Sequence, residues 1–159
     1  MHYAAYVSRE GKHVLADFPD CPGCQTFADN GDEVADAARE ALEGWLEAHL
    51  TGGQVPPRPV AHVQAPEGKK LAWVPVRAGL AAAMNIRWAR QDAGLTQTEL
   101  GKRAGVTQQQ VAKVEDPDQN PSIETLEKIA RALGCELNVG FEPLARFSVP
   151  PPVRAGRRA

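Results

Sequence analysis

The stretch LTQTELGKRAGVTQQQVAKV, residues 95–114, decides how this 159-residue chain is read. Thr96 stands three residues before Glu99, and Thr107 three residues before Gln110. In each pair the Thr hydroxyl can accept from the backbone N–H of the later residue, whose own side chain reaches back to the Thr N–H. That reciprocal cap opens a helix. Gly105 lies between the two starts and suits a tight turn. The pattern predicts two short helices of helix-turn-helix length, the second starting at Thr107. Upstream, residues 80–93 read as a helix ending at Gly94. Downstream, Asn120-Pro121-Ser122 introduces another over residues 123–133, closed by Gly134. The expected core of this helical half is Ile86, Ala89, Leu95, Leu100, Ala104, Val106, Val111, Val114, Ile123, Leu126, Ile129, Ala130 and Leu133.

The second helix of the pair opens on three amides, Gln108, Gln109 and Gln110, with Lys113 one turn on. Glutamine donates and accepts at once and so matches the major-groove edge of adenine. Free N–H groups at a helix start also suit phosphate. Gln97 is placed to brace this helix or to hold a phosphate, and Arg87, Arg90, Lys102 and Arg103 supply charge for a DNA backbone. An amide run alone fits a protein–protein module equally well. Two capping boxes, the turn glycine and the length favour DNA.

Residues 95–137 resemble the Cro/repressor-type (XRE) helix-turn-helix family, within a match of about sixty residues. The resemblance implies that Gln108 and Gln109 read bases and that Gln110 and Lys113 lie further along the recognition helix. Glu115, Asp116 and Asp118 follow directly and are expected near phosphates. Binding by one copy would then be weak and dimerisation required.

The front half reads as a small α+β unit. Residues 2–9 and 11–18, around Glu10-Gly11, fit a hairpin, and residues 25–28 a third strand. In residues 32–50, Val34, Ala37, Ala38, Ala41, Leu42, Trp45, Leu46 and His49 form one helical stripe, stopped by Gly52 and Gly53. Residues 71–76 read as a further strand that Pro75 confines to an edge. The expected fold class is α+β: a small antiparallel sheet with one packed helix, then an all-α domain. The boundaries are 1–78 (with a Pro/Gly-rich connection at 51–60), 79–141, and a basic, flexible tail at 142–159 that can add phosphate contacts.

Charge follows the same division. Residues 1–78 carry 7 basic and 11 acidic side chains, residues 79–141 carry 7 and 8, and the tail has Arg146, Arg154, Arg157 and Arg158 against Glu142. The net charge of −2 excludes a uniformly basic nucleic-acid coat. No apolar stretch approaches bilayer length, no leader is visible, and three cysteines do not make a disulfide framework. A soluble cytoplasmic protein is expected.

Phe18-Pro19-Asp20-Cys21-Pro22-Gly23-Cys24-Gln25-Thr26, then Gly31-Asp32-Glu33 and the Ala-rich helix, resemble the HicB antitoxin family over about seventy residues. The resemblance implies a partial RNase H-like front domain that blocks a HicA-type mRNA-cleaving toxin, and a back domain that represses the operon's promoter. On that reading Pro19, Asp20, Cys21, Pro22, Gly23, Cys24 and Thr26 touch the toxin. Trp73, Val74 and Val76 form an oligomer edge in a homodimer or homotetramer. The acidic front suits a basic, RNA-binding partner.

Other chemistry is weighed against these readings. The Cys21–Cys24 spacing fits a redox pair or half a zinc site, but no second CxxC exists and a strand follows; a proline-rigid turn fits better. Asp17, Asp20, Asp29 and Asp32 gather round one loop and a helix start, where carboxylates cap, rather than converging from separate elements as two-metal nucleases require. His2, His13, His49 and His62 are scattered. No enzyme, metal or cofactor is expected. The alternatives are a free-standing regulator with a sensory front domain and a nuclease of RNase H type.

Overall fold

The computed structural model describes residues 1–60, 64–141, 143 and 147. His62 and all four arginines of the basic tail lie outside the described residues.

Strong β formers at the start produce β1 (His2–Glu10) and β2 (His13–Asp17), an antiparallel hairpin with Glu10 opposite His13 and Val7 opposite Ala16. Gly11 supplies the positive φ (60°) that this short connection requires. β3 (Gln25–Ala28) pairs with β2, and β4 (Lys70–Pro75) with β1, giving the order β3-β2-β1-β4. β4 is therefore an edge strand, where Pro75 is tolerated.

The pleat sends alternate side chains to opposite faces. Tyr3, Ala5, Val7, Val14, Ala16, Ala72 and Val74 are buried on one face. α1 (Gly31–Thr51) supplies the matching apolar row, Val34, Ala38 and Leu42, each fully buried. The opposite face carries Tyr6, Leu15, Leu71 and Trp73, half-buried, and Phe27, 67% exposed. The Tyr3 hydroxyl donates to Pro57 O at 2.6 Å, and the Val60 N–H donates to an Asp20 carboxylate oxygen at 3.0 Å. These bonds pin residues 57–60 to the sheet unit.

The helical part runs α2 (Ala78–Asp92), α3 (Gln97–Ala104), α4 (Gln108–Val114) and α5 (Ile123–Ala132). Its core is Ile86, Leu95, Leu100, Val111, Val114 and Ile129, with Ala104, Val106, Leu126 and Leu133 packed against it. Ile123, expected in that core, is instead 60% exposed, because it opens α5 just after the Ser122 cap.

Two compact units emerge. Residues Met1–Trp45 and Pro57–Val76 belong to one, Leu46–Pro56 and Arg77–Pro143 to the other, so the division falls inside α1. Within the second unit, Trp88 Nε1 donates to Pro56 O at 2.9 Å, and Arg77 pairs with Glu47. Among the described residues no helix is long and apolar enough to cross a membrane.

Candidate functional site

Both capping boxes form. Thr96 Oγ1 accepts from the Glu99 N–H and the Glu99 carboxylate accepts from the Thr96 N–H. Thr107 and Gln110 repeat the exchange. The two hydrogen bonds that Thr96 gives Glu99 hold its carboxyl below the usual carboxylate range. Gly105 ends α3 at φ 69°, and the Val106 N–H closes back on Gly101 O at 2.9 Å. A Cβ on Gly101 would stand 2.9 Å from Val106 O, so the turn into α4 requires glycine in mid-helix α3.

α4 is fixed from within by side chains. Gln108 Nε2 donates to Gln97 Oε1 at 2.8 Å, and Gln97 Nε2 donates to Glu115 Oε2 at 3.0 Å. Glu115 is only 1% exposed. Arg90 binds both its oxygens, through Nε to Oε1 and through Nη2 to Oε2 at 2.9 Å, and spends Nη1 on Leu95 O at 2.8 Å. The hydrogen bond from Glu115 pushes Arg90 above its ordinary pKa, so the guanidinium stays charged. Arg87 donates to Leu50 O at 3.0 Å and Gln54 O at 3.3 Å, and its Nε lies 3.6 Å from Glu115 Oε2.

This geometry corrects three expectations. Arg87 and Arg90 do not offer charge to a DNA backbone: their guanidinium groups satisfy a buried carboxylate and carbonyls that would otherwise be orphaned. Glu115 does not lie at a phosphate surface, because it is the carboxylate being satisfied. Asp116 is likewise occupied locally, accepting from the Asp118 N–H at 2.9 Å and from Gln119 Nε2 at 3.4 Å.

The outward-facing set is smaller. Gln109, Lys113, Lys102 and Arg103 are exposed, and among the described residues the Gln109 amide makes no hydrogen bond. Gln110 commits its amide oxygen to Thr107. Gln108 is exposed while held by Gln97, which presets its orientation. Beside α4 a groove of 320 Å³ is lined by Gln110, Lys113, Val114, Gln119, Asn120, Pro121, Ser122 and Thr125, and so reaches the cap of α5.

In the sheet unit, the Pro19–Thr26 loop is a closed turn. The Cys21 N–H donates to Phe18 O, the Cys24 N–H to Cys21 O, and the Phe18 N–H to Cys24 O, with Gly23 at φ 84°. Both thiols are buried, and burial pushes them up to about 12 for Cys21 and about 11 for Cys24. Protonated thiols are neither nucleophiles nor metal ligands. Pro19, Pro22 and Gly23 are exposed and Thr26 is half-buried, whereas Asp20 is engaged by the Val60 N–H. Asp17 pairs with Lys69 at 2.8 Å and Asp29 with His13 at 2.8 Å, so these carboxylates do not converge. Among the described residues no three potential ligands gather as a metal site.

The oligomer-edge residues divide. Trp73 is half-buried, but Val74 and Val76 are core, 1% and 7% exposed. Any pairing along β4 would use its backbone edge, not those two side chains. Sequence reasoning missed Gly101 and the buried role of Glu115. The first left a signal, a glycine inside a capped helix; the second left none, since Arg90 is 25 residues away.

Comparison with known proteins agrees with the two-part architecture. A family described as HicB_like antitoxin of bacterial toxin-antitoxin system matches residues 3–93, and a helix-turn-helix family matches residues 86–139. Antitoxin HicB 1 of Photorhabdus laumondii is 31% identical over 84% of this chain and 81% of its own. An uncharacterized HTH-type transcriptional regulator of Methanothermobacter thermautotrophicus is 47% identical over 32% of this chain and 74% of its own. An immunity repressor protein of Bacillus phage phi105 is 33% identical over 42% and 48%. A chain from the solved HicA3 and HicB3 toxin-antitoxin complex shows 24% identity and a TM-score of 0.44, covering 48% of this chain and 99% of that one. The chain belongs to the HicB_like antitoxin family and carries a helix-turn-helix domain after its antitoxin region.

Proposed function

We propose that this protein neutralises a HicA-type mRNA-cleaving toxin through its sheet unit and represses its own operon through α3 and α4, working in the cytoplasm and without catalysis of its own. One observation carries the DNA half of this reading. Gln108 is braced through Gln97 to the buried Glu115–Arg90 pair, while Gln109 and Lys113 stand exposed beside it. A recognition helix needs side chains already held in place, because ordering them on binding costs affinity. Gln108 and Gln109 read base edges in the major groove, Thr107 and the α4 start meet a phosphate, and Lys113, Lys102 and Arg103 add backbone contacts. Two copies would address half-sites about one helical turn apart.

The toxin half rests on membership in the antitoxin family and on the exposed surface of the sheet unit. Pro19, Pro22 and Gly23 offer a rigid rim to the partner, with Phe27 beside it. Cys21 and Cys24 support that rim from inside.

Co-expression with the small open reading frame beside the gene tests both halves. Growth arrest by the neighbour alone, relieved by this chain in a co-purifying complex, is expected. A harmless neighbour and no complex would overturn the antitoxin half. Binding to the upstream promoter DNA would then leave a free-standing regulator.

A further inference from the structure

After α5 the sequence reads Cys135-Glu136-Leu137-Asn138-Val139-Gly140-Phe141. Apolar residues occupy every second position, the two-residue period of a strand with one buried face. Yet these seven residues carry neither helix nor strand. Val139 is 67% exposed and Phe141 fully so, and residues 136–141 make no backbone hydrogen bond among the described residues. The segment has the side-chain pattern of a paired strand and no strand beside it.

We infer that residues 135–141 pair antiparallel with the same segment of a second copy, making the dimer interface of the helix-turn-helix unit. The sequence is self-complementary for that arrangement. Two copies overlap completely when centred on Asn138, which sets Leu137 against Val139, Cys135 against Phe141, and Asn138 against itself. Glu136 then faces Gly140, so no like charges meet across the pair. A second feature lies where this register needs it. A groove of 270 Å³, lined by Glu127, Ala130, Arg131, Cys135, Glu136 and Leu137, adjoins Cys135, the residue opposite Phe141 of the other copy. The exposed Phe141 ring is the apolar group that fills it. A twofold axis through Asn138 is also the symmetry that a palindromic operator demands.

Cross-linking of the full chain tests the register. Opposed residues of an antiparallel pair have Cα atoms about 4.5–5.5 Å apart, within disulfide reach. In a Cys135→Ser background, Asn138→Cys is expected to form a covalent dimer on mild oxidation and Gly140→Cys to stay monomeric. Equal cross-linking at both sites, or none at either, would overturn the register. Val139→Asp with Phe141→Asp changes only exposed side chains and is expected to halve the mass seen by sedimentation, with an unchanged melting profile. An unchanged mass would move the dimer contact elsewhere, the β4 edge included, and sink the inference. A wild-type chain that is monomeric until a partner protein is added would sink it too. Only the operator arm rests on the proposed DNA reading: the monomeric variant should lose at least tenfold in promoter affinity. If the parent chain binds no promoter DNA, the mass and cross-linking results still decide the dimer.

Discussion

The two units are held together by different physics. The sheet unit relies on strand register and apolar alternation, and its polar contacts, Lys69–Asp17 and His13–Asp29, lie at the surface. The helical unit has a smaller apolar core and adds a buried polar chain, Arg87 and Arg90 to Glu115 to Gln97 to Gln108. An apolar core tolerates repacking, whereas a buried ion pair fails when one partner is removed. The orientation of the recognition helix therefore depends on a few polar side chains, while the sheet unit spreads its stability over many contacts.

The sharpest way to break this contrast is Glu115→Ala, which leaves Arg90 buried and unpaired. A loss of about 3–5 kcal/mol is expected in urea unfolding. The double change Arg90→Met with Glu115→Leu should recover most of that stability yet still weaken promoter binding, since Gln97 and Gln108 lose their anchor. Equal recovery of both properties would mean that the chain stabilises without positioning.

The same glycine substitution should have opposite signs in the two units. Gly101→Ala forces a Cβ to 2.9 Å from Val106 O and should cost about 1–3 kcal/mol. Gly44 lies in α1 with nothing within 4 Å of a built Cβ. Gly44→Ala should stabilise by about 0.5–1 kcal/mol. Thermal melts of the two variants read the difference directly.

Base reading and charge separate next. Gln109→Ala should cost about 1–3 kcal/mol on promoter DNA and relax sequence preference without altering stability. Lys102→Ala should weaken all DNA alike and lower the salt slope by about one contact. If Gln109→Ala binds like the parent, the exposed amide of α4 does not read bases.

A pH titration addresses the sheet unit. The folded thiols of Cys21 and Cys24 ionise at about 12 and about 11, against 9.0 when unperturbed. The unfolded chain therefore releases these protons first as pH rises. Their contribution is fully present below pH 9 and is lost as pH climbs through the folded values. Replacing both by Ala should flatten the alkaline limb of the stability profile. The smallest effect on folding is expected from Phe27→Ser, within about 0.5 kcal/mol. If the open sheet face meets the toxin, this variant should weaken the toxin complex while leaving promoter binding untouched.

Local signals carried much of this reading. Two Thr caps with their reciprocal Glu99 and Gln110, the turn glycine Gly105, and the stripe from Val34 to Leu46 are all written within a few residues of one another. Helix starts and strand alternation are short-range physics, so residue order is enough to place them. Pro75 marked the edge strand for the same reason: a missing N–H excludes it from a central ladder.

Long-range pairing was not written that way. Glu115 was read as a surface charge after a helix, and only the folded chain brings Arg90 and Gln97 to it. Val74 and Val76 were read as an edge, but strand pairing turned both into the core. Alternation shows that one face of a strand is buried without showing which layer buries it. Gly101 lies between these cases: its oddity is visible in residue order, but the carbonyl that requires it comes from the next turn. Periodicity and capping named the elements because their partners are sequence neighbours. Which polar groups stay outside to meet DNA was settled by contacts closed across tens of residues, where burial forces each charge to find a partner.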